Sequence, residues 1–269
     1  MNSDSYGAAY WNNVAKNMVG KYHLNEFLCK QKKSVHLDLI SRWVDISSGR
    51  NVLKTDLFEE ALGSDHFLFD LARINANAVG IDIAYNIAHA AKRMSKQYGL
   101  GLSEIVCCDV RRLPFKDDSF SLVISNSTLD HFEYEVYITA ALKELWRIIE
   151  PGGTLIITMD NKRNLTEPIF RLWLALGFAP FFVGRTYSIE ELKQALEKIG
   201  FIIKDATAII HNPRLLTRKI SSFLHCLDSR RFDPWIRKGL AFLDRLENKR
   251  TKYLTALYIA VNAVKCEKS

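Results

Sequence analysis

Glycine is missing from the stretch of this chain that most invites it. The segment NVLKTDLFEEALG, residues 51–63, begins like the first strand and phosphate loop of a nucleotide-binding α/β domain, yet no glycine comes before Gly63. Lys54, Asp56, Glu59 and Glu60 stand where small residues would let the backbone approach a ligand closely. No G-x-G-x-x-G occurs either, which disfavours a NAD-dependent dehydrogenase. Long apolar runs are also lacking. The closest, Phe170 to Gly184, is too short to span a bilayer and is interrupted by Arg171, Gly177 and Pro180. The opening MNSDSYGAAYWNN is polar and has no signal-peptide core. The five cysteines are an odd number without zinc spacing. They read as reduced thiols of a cytoplasmic protein, with Cys107 and Cys108 side by side in a buried strand. No His, Cys and carboxylate cluster has metal-ligand spacing, so no metal is expected.

What is present suffices for a sizeable core, since 48% of the 269 residues are hydrophobic. The net charge of +7 is local: residues 214–252 carry the whole excess, and the rest of the chain is balanced. Such a segment serves nucleic acid, an anionic substrate or a membrane surface, or is simply the solvated face of a helix.

Residues 1–48 read as a helical segment, with HLDLISRWVDI apolar at helical rather than alternating positions. From 49 to 269 strands and helices alternate. The expected strands are 51–54, 78–82, 103–109, 120–127, 154–160, 201–210 and 253–264. Ser188 and Glu191 form a capping-box signature before a helix that Gly200 ends. This alternation argues for a parallel sheet with helices on both faces. Two stretches interrupt it. Residues 161–187 are rich in aromatics: Phe170, Trp173, Phe178, Phe181, Phe182 and Tyr187. Residues 213–251 are helical and basic, with Trp235, Ile236, Leu240, Leu243 and Leu246 expected to face inward. That arrangement leaves Arg230, Arg231, Arg237, Lys238 and Arg245 outward.

Ligands of open α/β sheets sit beyond the carboxyl ends of the strands. Here those ends read Lys54-Thr55-Asp56, Asp82, Asp109, Asn126 through His131, Asp160-Asn161 and His211-Asn212. The runs VGIDIA, CCDVRRLPFKDDSFSLVISNSTLDHF and ELWRIIEPGGTLIITMD resemble class I S-adenosylmethionine-dependent methyltransferases, in the type-11, quinone-C-methyltransferase-like group. The resemblance covers roughly residues 50–210. It implies a Rossmann-like α/β fold, a seven-stranded, mostly parallel sheet whose last strand is antiparallel. It also implies S-adenosylmethionine as cofactor and S-adenosylhomocysteine as product. Asp82 would take the ribose hydroxyls, with Ile83 beside it. Asp109 would accept from the adenine amine, and Val110 would offer its backbone. Asn126 and Ser127 would line the floor near the methionine portion.

The departure from the family is the first motif, KTDLFEEA, which lacks its acid and its glycines. Lys54 could meet the methionine carboxylate, with Thr55 beside it and Asp56, Glu59 or Glu60 on the ammonium. Alternatively Lys54 is an ion-pair partner of Asp56 or Asp82, or cofactor binding has been lost.

For chemistry, SNSTLDHF offers His131 as a general base with Asp130 next to it, because imidazole titrates near neutrality. The competing role of His131 is a structural one in its loop. Asp160, Asn161 and His211 are candidates for holding substrate. Both insertions leave strands at the active-site edge and are expected to form a lid over a small, apolar or aromatic acceptor. No nucleic acid is expected, since SNSTL is not the N-P-P-aromatic signature of enzymes that methylate base amines. Peripheral membrane or anionic-substrate contact through 214–252 stays open. The alternatives are a non-catalytic ligand-binding protein of this fold and, behind it, an RNA methyltransferase.

Overall fold

A computed structural model describes residues 6–18, 26–46, 49–62, 66–74, 77–99, 104–178, 182–212 and 233–267. Seven strands lie in one sheet: β1 (Asn51–Thr55), β2 (Asn77–Asp82), β3 (Glu104–Cys107), β4 (Phe120–Asn126), β5 (Ile149–Asp160), β6 (Phe201–Ile209) and β7 (Tyr258–Lys265). Their order is β3-β2-β1-β4-β5-β7-β6. β1 to β5 pair in parallel, and β7 runs antiparallel to both β5 and β6. The seven-stranded, mostly parallel sheet expected from the sequence is therefore present.

Consecutive apolar residues in the central strands serve opposite faces. Leu53 packs with α6 (Glu135–Ile148) and α8 (Ile189–Ile199), while Val52 packs toward α2 (Glu26–Trp43) and α4 (Phe67–Arg73). A strand buried on both faces needs apolar residues at both parities, which is why β1 and β4 do not alternate. The remaining helices among the described residues are α1 (Ala8–Met18), α3 (Phe58–Leu62), α5 (Tyr85–Gln97), α7 (Glu167–Ala175), α9 (Asp233–Asp244) and α10 (Lys252–Thr255). α8 opens with the anticipated reciprocal cap. Ser188 Oγ accepts from Glu191 N at 3.2 Å, and Glu191 Oε2 accepts from Ser188 N at 2.7 Å. Gly200, at φ 113°, ends it.

Three expectations need correction. Residues 253–255 are helical rather than part of the last strand. The side-chain amides of Asn161 and Asn164 donate to the carbonyls of Tyr253, Thr255 and Ala256, satisfying that backbone without a ladder. Cys107 is exposed and Cys108 half-buried, because β3 is the sheet's edge. On α9, Leu240 is buried as expected but Trp235 is 72% exposed. At about 100° per residue, Trp235 sits roughly a quarter-turn from Ile236 and falls outside the inward arc.

Candidate active site

At the carboxyl end of β1 the chain uses charge where glycine was expected. Lys54 is 3% exposed and Glu60 0%. Lys54 Nζ donates to the Asp56 carbonyl and lies 3.0 Å from Glu60 Oε2. Burial alone would depress the ammonium, but Glu60, Asp56 and Glu59 outweigh it and raise the Lys54 pKa. Glu60 Oε1 in turn accepts from Leu68 N at 2.9 Å, so one ion pair ties β1, α3 and α4 together. The turn itself is made by Asp56 at φ 64°, a left-handed conformation that aspartate tolerates. Its Oδ1 accepts from Phe58 N at 2.8 Å. Glycine does appear opposite, at Gly80 of β2. A Cβ there would come within 2.7 Å of the side chains of both Leu68 and Leu57. Thr55 is fully buried and bonded to Ser125 and Thr128 through hydroxyls.

That turn aims at Asp82. Its Oδ2 accepts from Leu57 N at 3.0 Å and its Oδ1 from Ala84 N at 2.8 Å. Burial pushes the carboxyl up to about 6 in spite of these two backbone donors and of Lys54. Ile83, next along, sits half-buried with its carbonyl toward the Cys107 thiol. Asp109 is clamped by Arg111, whose Nε lies 3.0 and 2.9 Å from its two oxygens. Arg111 is stacked over the Phe132 and Tyr137 rings at 5.1 and 4.7 Å. Val110 is buried in the core beneath.

Beyond β4, Asn126 places Oδ1 in a buried position with no partner. Ser127 adopts φ 50° and donates through Oγ to Asp130 Oδ2 at 2.7 Å. Asp130 is fully buried, also accepts from Asp160 N at 2.9 Å, and leaves Oδ1 unpartnered. Burial and then the neighbouring Asp160 raise its pKa. His131 Nδ1 lies 2.9 Å from the carbonyl of Phe182. The segment from Phe182 to Arg185 is drawn close by Gly184 N→Asp130 O at 2.8 Å and Arg185 N→Phe132 O at 2.9 Å. Glycine is required at 184, where a Cβ would stand 2.3 Å from the Phe132 carbonyl oxygen.

α1 covers this corner. Tyr6 stacks on Phe182 at 3.6 Å, and the Tyr10 hydroxyl accepts from Phe182 N at 2.7 Å. Trp11 meets the His131 ring edge-on at 4.8 Å. Asn12 Oδ1 accepts from Asn86 N at 3.0 Å. Asn86 is in the first turn of α5, which has no side-chain cap of its own, so a residue 74 positions away satisfies one of its terminal amides. None of this was drawn from the sequence. The Y-x-x-x-Y-W-N spacing of residues 6–12 was its one signal.

Residues 58–157 match the family described as "Methyltransferase domain", starting just past the atypical turn. The chain carries a class I methyltransferase domain of the type-11 group. It is 25% identical over 198 residues to the biotin biosynthesis bifunctional protein BioHC of Cellvibrio japonicus, covering 72% of this chain and 37% of that protein. It is 25% identical over 169 residues to the demethylmenaquinone methyltransferase of Staphylococcus saprophyticus, covering 61% and 67%. Among solved structures, Haemonchus contortus phosphoethanolamine N-methyltransferase 2 in complex with S-adenosyl-L-methionine aligns over 94% of this chain and 60% of that one. That alignment has a TM-score of 0.63 at 15% identity, a likeness of fold.

Not every strand-end residue of the methyltransferase domain opens onto the crevice. Asn161 is 1% exposed, and its amide donates to Tyr253 O and Ala256 O at 2.8 and 2.9 Å. His211, 3% exposed, lies between Thr255 Oγ1 and Ala208 O at 2.8 and 3.1 Å. Burial lowers its pKa. Asn161, just past β5, and His211, just past β6, both hold residues 253–256 through these bonds. Asp160 is buried beside Asp130. Of the aromatic insertion, Phe182 reaches His131, Phe170 and Tyr187 are buried, Phe178 is exposed, and Phe181 lies outside the described residues. In the basic insertion, residues 213–232, including Arg230 and Arg231, lie outside the described residues, as does the Arg237 side chain. The stretch that follows α9 contacts α2 and β6: Glu247 accepts from Arg42 at 3.0 Å and from Thr207 at 3.2 Å.

Proposed function

We propose that the protein transfers a methyl group from S-adenosylmethionine to an oxygen or acidic carbon of a small, apolar or aromatic molecule. The observation that carries this is a set of acceptors converging at one sheet edge, with His131 beside them under α1. Each Asp82 oxygen takes one backbone N–H and keeps acceptor capacity for a ribose hydroxyl. Asp109 suits the adenine amine, shared with Arg111. The orphaned Asn126 Oδ1 suits the cofactor's ammonium. The donor set therefore fits S-adenosylmethionine. Lys54, Thr55 and Asp56 support the turn from below, and the loop backbone, rather than the Lys54 ammonium, meets the methionine end.

When bound, the cofactor supplies an electrophilic methyl whose bond to sulfur breaks as the bond to the acceptor forms. The chain supplies orientation and a place for a proton. Donation from His131 Nδ1 to the Phe182 carbonyl selects the tautomer with its lone pair on Nε2, suited to take the acceptor's proton. Tyr6, Tyr10 and Trp11 keep water from that side and give an aromatic wall for the acceptor.

Calorimetry with S-adenosylhomocysteine tests the reading. Binding is expected for the wild type, and Asp82→Ala should weaken it by about 1–3 kcal/mol, the loss of a charged hydrogen-bond acceptor. Absence of binding to the wild type would overturn the reading.

Affinity should also depend on pH in a stated direction. The ionised Asp82 carboxylate is the form that accepts from ribose, and burial places its pKa at about 6. Affinity is therefore retained above that pH and falls below it, approaching about tenfold per unit. In Asp82→Asn the same titration should be flat over this range. An unchanged slope in that variant would assign the titration to another group of the cluster.

A further inference from the structure

Two exposed stripes on the insertions include none of the residues assigned above to methyl transfer. On α9 and the first residue of the turn that continues it, Trp235, Lys238, Phe242 and Arg245 fall within an arc of about 80° at roughly 100° per residue. Trp235 is 72% exposed and Phe242 67%. Each ring carries a cation, with Lys238 Nζ 5.5 Å from the Trp235 centroid and the Arg245 guanidinium 6.0 Å from that of Phe242. No carboxylate interrupts the arc. Asp244 accepts from Gln31, and Glu247 from Arg42 and Thr207.

The second stripe is aliphatic. Leu165, Ile169, Leu172 and Leu176 recur at helical spacing along α7 and its ends, each at least 61% exposed. The cations beside it are matched: Lys162 by Glu191, Arg163 by Glu190 and Arg171 by Glu167. The stripes are linked through α10, since Leu165 N donates to Leu254 O at 2.9 Å and Leu254 is itself 42% exposed.

Apolar groups of this size left in water mark a surface that something covers. We propose that the covering partner is an anionic lipid surface. Trp235 and Phe242 would sit at headgroup level, Lys238 and Arg245 against lipid phosphates, and the α7 leucines and isoleucine in the acyl boundary. The attachment is interfacial, because among the described residues no helix is long and apolar enough to cross a membrane. Nucleic acid would use the rings and the cations but leave the aliphatic stripe in water. A second copy related by two-fold symmetry would set the basic arc against itself. The proposal is independent of the methyl-transfer reading.

The test is flotation with phosphatidylcholine vesicles, with and without phosphatidylserine. Binding is expected only to vesicles that contain phosphatidylserine, and added salt should release it. Lys238→Gln with Arg245→Gln should weaken binding by about 30-fold, and Trp235→Ala with Phe242→Ala should also reduce it. As these side chains are exposed, thermal midpoints should stay at the wild-type value, which separates lost attachment from lost folding. Failure to float with either vesicle would overturn the proposal, as would binding untouched by both variants. So would RNA that outcompetes vesicles, or a dimer that the aromatic variant dissolves.

Discussion

Replacing Lys54 by methionine is expected to cost about 3–5 kcal/mol of folding stability. The mutation leaves Glu60, 0% exposed, without its cation while still holding Leu68 N. A buried pair is not strongly stabilising compared with an apolar one, yet breaking it is costly because one charge stays behind. The pair should therefore be rescued by removing the second charge. Lys54→Met with Glu60→Gln keeps a carbonyl oxygen for Leu68 N and leaves no buried charge behind. Most of the loss should return. Denaturant unfolding curves with equal slopes give the comparison. The same pair shapes the turn whose Leu57 N–H holds Asp82, so affinity for S-adenosylhomocysteine should fall in the single variant and recover in the double. A single variant within about 1 kcal/mol of wild type would reduce the pair to the value of a surface contact.

The sheet was legible because its signals are local. Apolar runs of strand length, the Ser188–Glu191 cap and the acids at strand ends each need only a few neighbouring residues to be read. The sequence offers Lys54 an ion pair with Asp56 or Asp82, the acids nearest it at the strand ends. That it reaches Glu60, six positions on, depends on α3 turning back beneath β1. The cover over His131 was not legible, because Tyr6, Tyr10 and Trp11 meet Phe182 and His131 across more than a hundred residues of sequence. Edge position is invisible for the same reason. Cys107 is exposed since β3 has a neighbour on one side only, a property of strand order rather than of strand composition. Trp235 was misplaced on more local grounds. Its hydrophobicity suggested burial, while its angle on α9 sets it beside Phe242 and the cations.

Turnover should fall by a factor of about 100 to 10,000 in His131→Ala, measured as S-adenosylhomocysteine formed with a panel of phenols and quinols. Affinity for S-adenosylhomocysteine should stay close to wild type, since Asp82 ends β2 and Asp109 lies in the loop that follows β3, both away from the 129–131 turn. Alanine removes two things together, the bond to Phe182 and the lone pair on Nε2. Asparagine separates them. Its side-chain amide can donate to the Phe182 carbonyl much as Nδ1 does, holding residues 182–185 and α1 in place, but it cannot take a proton. If His131 is the base, His131→Asn is as slow as His131→Ala, because the chemical loss is the same. If His131 instead fixes Phe182, and through it Tyr6 and Tyr10, then His131→Asn works within a few-fold of wild type and the alanine variant stays slow. The two roles give opposite results in one variant, so recovery in His131→Asn would end the general-base assignment.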